Sequence, residues 1–86
     1  MKKAHKDFLQ LTQTRETFRL VFSYSEGSEN YRISLDSFYE GHWQLEGIVA
    51  VGTSFIRIEA VWVFLLKQDV SVWIKLKRGY SWESIH

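Results

Sequence analysis

The stretch "TFRLVFSYSEGSENYRISLDS", residues 17–37, decides the fold because large apolar residues alternate with other residues on both sides of a short polar connection. Alternation with a period of two is typical of a strand that buries one face. Gly27 and Asn30 tolerate the left-handed backbone conformations that tight turns use. The sequence therefore predicts an antiparallel hairpin with strands over about residues 17–24 and 31–36.

The segment before this hairpin has a different period. Ala4, Phe8 and Leu11 fall at helical spacing in an otherwise polar stretch. This pattern predicts a short amphipathic helix over about residues 3–14, which needs a sheet to lie against because its apolar stripe is narrow.

Three more strands are expected after the hairpin, over about residues 43–51, 55–66 and 70–77. Gly47 lies inside the first of them, where a glycine often marks a bulge or a bend. We expect one α+β domain over residues 1–86, in which the helix precedes a strongly bent antiparallel sheet or small barrel of the SH3 or Sm type. The alternative is a flatter meander with the helix packed on one face, and residues 79–86 form a tail.

The resemblance to Sm proteins is confined to this order of elements and to a glycine in a middle strand. After Gly47 the chain reads "IVAVGTSFIRIE", without the Asp and Asn that shape the Sm RNA pocket. No family is inferred from the sequence, and no site residue is transferred.

Composition excludes several classes of protein. The chain is 45% hydrophobic and 16% aromatic, which excludes a disordered protein, and it has no cysteine for a disulfide or thiolate metal site. No secretory signal follows the basic start, and no apolar run reaches the about 20 residues of a membrane span. We expect a cytoplasmic protein without membrane contact. Its net charge of +1 conceals basic ends and an acidic middle.

The stretch "AVWVFLLK", residues 60–67, lacks the alternation of a strand with one wet face. If Gln68 and Asp69 form a two-residue loop, the last two strands share a branched aliphatic face and a second, aromatic face with a basic border. The amino-terminal helix, another copy of the chain or a foreign ligand could cover this second face. Its residues are Trp62, Phe64, Leu66, Trp73, Lys75 and Lys77.

Catalysis has little support in the sequence. The turn "LDSFYEGH", residues 35–42, gathers acids, a serine and a histidine, but such residues are ordinary in turns, and a single Glu-x-His pair lacks a third metal ligand. No phosphate-binding loop or nucleophile motif is present in the sequence. We expect no enzyme activity, no metal and no cofactor.

The leading interpretation is a small binding module that acts through the aromatic face, as a homo-oligomer or with another protein. Its lysines would lie against an acidic strip of a neighbour, including Glu40 and Glu46. The alternative is single-stranded nucleic acid binding through the carboxy-terminal part of the chain, which interleaves cations and flat rings. That set comprises Trp73, Lys75, Lys77, Arg78, Tyr80 and Trp82.

Overall fold

Four strands and two helices follow one another in a computed structural model that describes residues 10–77. The strands form one antiparallel sheet in the order β1-β2-β3-β4, so each strand pairs with its neighbour in sequence. The elements are β1 Gln10–Arg15, β2 Phe18–Ser25, β3 Asn30–Tyr39, β4 His42–Gly52, α1 Phe55–Leu66 and α2 Val70–Leu76.

The predicted hairpin is confirmed. β2 pairs with β3 in a continuous antiparallel register in which Phe22 lies opposite Ile33 and Tyr24 opposite Tyr31. The turn differs in detail, since Glu29, with a φ of 55°, takes the left-handed conformation instead of Gly27 or Asn30.

The third predicted strand is also confirmed, as β4. Its pairing with β3 shifts twice, so that Glu46 and Val49 have no opposite residue. The first of these bulges adjoins Gly47, as the glycine indicated.

The prediction of a helix over residues 3–14 is wrong for the part that the structure describes. Gln10–Arg15 is strand β1, which pairs with β2 along all six of its residues. Thr12 and Thr14 favour an extended backbone, and pairing with an existing hairpin satisfies half of the strand's hydrogen-bonding groups. Residues 3–9 lie outside the described part.

The strands predicted over residues 55–66 and 70–77 are wrong, because these segments are α1 and α2. The Ser54 side chain accepts a hydrogen bond from the Arg57 backbone N–H at the start of α1, and Asp69 occupies the cap position of α2. The β-branched and aromatic residues favour strands only weakly, so helix caps and tertiary packing prevail.

The architecture is thus an open four-stranded sheet with two helices that follow it, and the SH3-like or Sm-like five-stranded barrel is a wrong prediction. The alternative of a flatter meander had the right kind of sheet, but it placed the helix at the other end of the chain. The predicted tail over residues 79–86 lies outside the described part.

The core lies between the sheet and the helices. Alternate residues of β2 and β3 point to this side, and α1 and α2 supply the residues that cover them. Among the described residues, no helix is long and apolar enough to cross a membrane. The buried apolar residues are Leu20, Phe22, Tyr31, Ile33, Leu35, Val49, Ala50, Ile58, Trp62, Leu65, Trp73 and Leu76.

Candidate interaction surface

The side of the sheet opposite the helices is called the open face here. Because successive residues of a strand point to opposite sides, the pairing register assigns its residues directly. No described helix packs against it. On the three strands that carry its apolar part, the open face includes Arg19, Val21, Ser23, Arg32, Ser34, Asp36, Phe38, Trp43, Leu45, Ile48 and Val51.

An apolar strip runs along β4 on the open face. It consists of Leu45, which is 60% exposed, Val51 at 57% and Ile48 at 37%, and Phe38 of β3, which is 45% exposed, adjoins it. Monomeric proteins rarely expose such residues contiguously, and a contiguous patch often marks a contact surface.

The two bulges of β4 create this strip. Leu45, Ile48 and Val51 are three residues apart, so in a regular strand they would alternate between the two sides. Each bulge adds one residue between them, which returns the next apolar side chain to the open face. Simple alternation in the sequence could not reveal this strip, although the apolar residues at every third position were a usable signal.

A cluster of a cation and two rings adjoins the strip. The Arg19 guanidinium carbon lies 4.4 Å from the centroid of a Trp43 ring, and its Nη2 donates to an Asp36 carboxylate oxygen at 2.8 Å. The Phe38 and Trp43 rings meet edge to face, with centroids 5.2 Å apart. The Arg19, Phe38 and Trp43 side chains therefore hold one another in place at this end of the open face.

The other end of the strip carries an exposed cation. Arg32 lies opposite Val51 in the register, and no described residue forms an ion pair with it. Since Asp36 neutralises Arg19, Arg32 is the unpaired charge of the open face.

The residues predicted from the sequence lie elsewhere. Trp62 and Trp73 belong to the core, and Trp73 is fully buried with its indole N–H donating to the Leu65 carbonyl at 2.8 Å. Phe64 and Leu66 are half-buried against the same core. The strand register that grouped these side chains on one surface is wrong, because helices replace both strands.

The basic residues of that prediction are also separated. Lys75 is exposed, whereas the Lys77 ammonium lies 3.5 Å from a Glu46 carboxylate oxygen. The structure does not bring Lys75 and Lys77 together with an exposed ring of Trp73. Arg78, Tyr80 and Trp82 lie outside the described residues.

Glu46 is held by two neighbours at the first bulge. The Ser37 hydroxyl donates to its carboxylate, and Lys77 adds a favourable charge. The hydrogen bond from Ser37 is the largest cause of a lowered Glu46 pKa, partial burial opposes it, and Lys77 lowers the pKa further. The acid thus fastens the end of α2 to β4 rather than offering a reactive group.

The acids and the histidine of the turn at residues 35–42 do not converge on a common point. Glu40 and Gly41 form the β3–β4 turn with φ angles of 50° and 86°, and Asp36 is engaged by Arg19. Within residues 10–77, no three His, Cys, Asp or Glu side chains are close enough to hold a metal ion.

Comparison with protein-family models, with curated proteins and with solved structures found no significant match to this chain. The functional argument therefore rests on the geometry of the open face.

Proposed function

We propose that this protein is a non-catalytic interaction module of the cytoplasm that acts through the open face of its sheet and forms a homo-oligomer. The observation that carries the proposal is the exposed strip of Leu45, Ile48 and Val51, which adjoins the ordered rings of Phe38 and Trp43. Contact surfaces are enriched in apolar and aromatic anchors surrounded by polar groups, as this face is.

Burial of the strip supplies the driving force. Each large apolar side chain contributes about 1.5–3 kcal/mol when it is removed from water, and four of them are 37% exposed or more on this face. Two sheets pack face to face at a distance of about 10 Å. A second copy of the open face can therefore cover the strip while the helices remain on the outside.

Charge favours a second copy as the occupant. Among the described residues of the open face, Arg32 is the charged residue without an ion pair. It lies beside Val51 at one end of the strip, whereas Phe38 and Trp43 lie at the other end. A twofold axis between Leu45 and Ile48 places Arg32 of each copy near the rings of the other. The cations then avoid each other and meet electron-rich faces.

Variants of the strip test this proposal. Leu45→Glu places a charge in the centre of the strip, so we expect a lower oligomer by size-exclusion chromatography with light scattering. Ile56→Glu is the matched control, because Ile56 is 75% exposed on α1, away from the open face. The proposal is contradicted if Leu45→Glu keeps the wild-type mass. It is also contradicted if Ile56→Glu lowers the mass and Leu45→Glu does not.

Single-stranded nucleic acid binding is the second candidate function. The cluster of Arg19, Trp43 and Phe38 together with the unpaired Arg32 supports it, since bases stack on rings and cations bind phosphates. Against it, residues 10–77 carry seven Lys and Arg but eight Asp and Glu.

Fluorescence anisotropy with a labelled single-stranded oligonucleotide separates the two functions. Nucleic acid binding should weaken steeply between about 50 and 200 mM salt and should decrease in Arg32→Ala. We expect no such binding if the open face serves self-association. Salt-sensitive binding that Arg32→Ala reduces would favour the second function instead.

A further inference from the structure

The two edge strands of the sheet differ in regularity. β1 pairs with β2 residue by residue from Gln10 to Arg15, whereas β4 has two bulges where it pairs with β3. Bulges disturb the spacing of the outward backbone groups and thereby protect an edge from pairing with another strand.

The end of α2 lies against the helix side of β4. A Cβ atom at Gly47 would lie 3.2 Å from the carbonyl oxygen of Lys77, so the main chain after α2 passes close to β4. The ion pair between Lys77 and Glu46 fixes this approach.

Among residues 10–77, nothing protects the β1 edge in this way. Its sequence, QLTQTR, contains no proline, glycine or bulge. Its one charge, on Arg15, turns inward to donate to the carbonyls of Leu66 and Gln68. Within the described residues, the backbone of β1 forms no hydrogen bond outside its ladder with β2. A regular strand with unpaired outward groups is a template for one more strand.

We propose that β1 pairs antiparallel with β1 of a second copy, about a twofold axis at Gln13, so that two sheets join into one of eight strands. Opposed residues must then lie on the same side of the joined sheet. This register sets Thr12 opposite Thr14 of the second copy, a favourable pair of β-branched residues. It also sets Leu11 opposite Arg15, so no like charges meet.

Exposure of Leu11 supports this occupant. Leu11 is 47% exposed on the helix side of β1. The aliphatic stem of Arg15 from the second copy covers it in the joined sheet. A strand of six residues buries less than the about 1,200 Å² of a stable interface, so the edge alone associates weakly.

The β1 edge consists of outward backbone groups and the open face consists of side chains, so this inference stands apart from the proposed function. Thr12 and Thr14 lie opposite Val21 and Arg19 and therefore point to the same side of the sheet as the open face. Both contacts together give a tetramer with twofold axes, in which two eight-stranded sheets stack through their open faces. The edge contact alone or the face contact alone gives a dimer.

Charge substitution at Thr12 and Thr14 tests the edge contact. Both side chains are exposed, so the variants Thr12→Lys/Thr14→Lys and Thr12→Glu/Thr14→Glu should keep the fold, which circular dichroism checks. Light scattering on the wild type should give four times the chain mass of 10.2 kDa, and each variant alone should give half of that mass. An equimolar mixture of the two variants should restore the wild-type mass, because opposite charges then meet across the axis.

Different results identify which contact fails. The edge proposal is overturned if both variants keep the wild-type mass, if their mixture stays at the lower mass, or if the wild type is already a single chain. Combining Leu45→Glu with the lysine pair should give the single-chain mass. If Leu45→Glu alone keeps the wild-type mass, the contact through the open face is contradicted and the edge contact is not.

Discussion

The two faces of the sheet use the same strands but reach opposite degrees of burial. On the helix side, Phe22 and Ile33 are fully buried under α1 and α2. On the open face, Leu45 and Val51 are no less apolar, yet more than half of each is exposed. A small chain that hides one set of apolar residues and leaves a second set in water indicates a use for the second set, because solvent exposure favours polar residues there.

Arginines show the same contrast. Arg15 lies on the helix side, with its guanidinium on two carbonyls at the end of α1 and 4.9 Å from a Trp73 ring centroid. Arg32 lies on the open face and has no ion-pair partner among the described residues. One arginine holds the helix layer on the sheet, and the other is available to a binding partner.

The largest expected difference between the two faces is in stability, and two tryptophans measure it. Trp73→Ala removes a fully buried ring and its hydrogen bond to Leu65, so the free energy of unfolding should fall by about 3–5 kcal/mol. Trp43→Ala removes a partly exposed ring and its contact with Arg19, for a loss of about 1 kcal/mol. Urea denaturation at a fixed protein concentration measures both. Equal losses would show that the open face is as closely packed as the core.

The arginines give an intermediate effect. Arg15→Ala should cost about 2–3 kcal/mol, because it removes charged hydrogen bonds to the Leu66 and Gln68 carbonyls. Arg32→Ala should change stability by less than about 0.5 kcal/mol, since Arg32 is exposed and unpaired. Thermal unfolding of the two variants should rank them in this order. A loss in Arg32→Ala as large as that in Arg15→Ala would mean that Arg32 has a structural partner.

The smallest expected effect concerns the fastening of α2 to β4. The Glu46 pKa is lowered, chiefly by the Ser37 hydroxyl, so its stabilising contribution is present above the ordinary glutamate pKa of 4.5 and disappears as pH falls through the lowered value. Glu46→Gln should therefore reduce the free energy of unfolding at pH 7. Between pH 7 and pH 3, the free energy of unfolding of the variant should fall by less than that of the wild type. Urea denaturation at pH 3 and pH 7 measures this. Parallel pH profiles for variant and wild type would contradict the role assigned to the Ser37 and Lys77 contacts.

The hairpin of β2 and β3 could be predicted from the sequence because it depends on a local pattern of residues. The alternation in β2 and β3 and the polar turn between them were sufficient to predict the hairpin. The segment after Gly52 was misassigned because Val, Trp and Phe favour strands. The spacing of Ile58, Trp62 and Leu65, with Ser54 and Asp69 as caps, was the helical signal that the alternation argument overlooked.

The candidate site was less predictable than the fold. Trp62 and Trp73 were assigned to a surface because a strand interpretation placed them together, and two helices bury them instead. The strip of Leu45, Ile48 and Val51 depends on two bulges that fix which side each residue faces. Gly47 indicated the first bulge in the sequence, but the register shifts that set the side of each residue follow from pairing between strands.

The most direct test of the open face as a contact surface is the mass of the wild-type protein in solution at low and high salt, by size-exclusion chromatography with light scattering. Burial of an apolar strip should give an oligomer that persists or tightens as salt rises. A single chain of 10.2 kDa at both salts, at concentrations of several hundred micromolar, would contradict self-association through the open face.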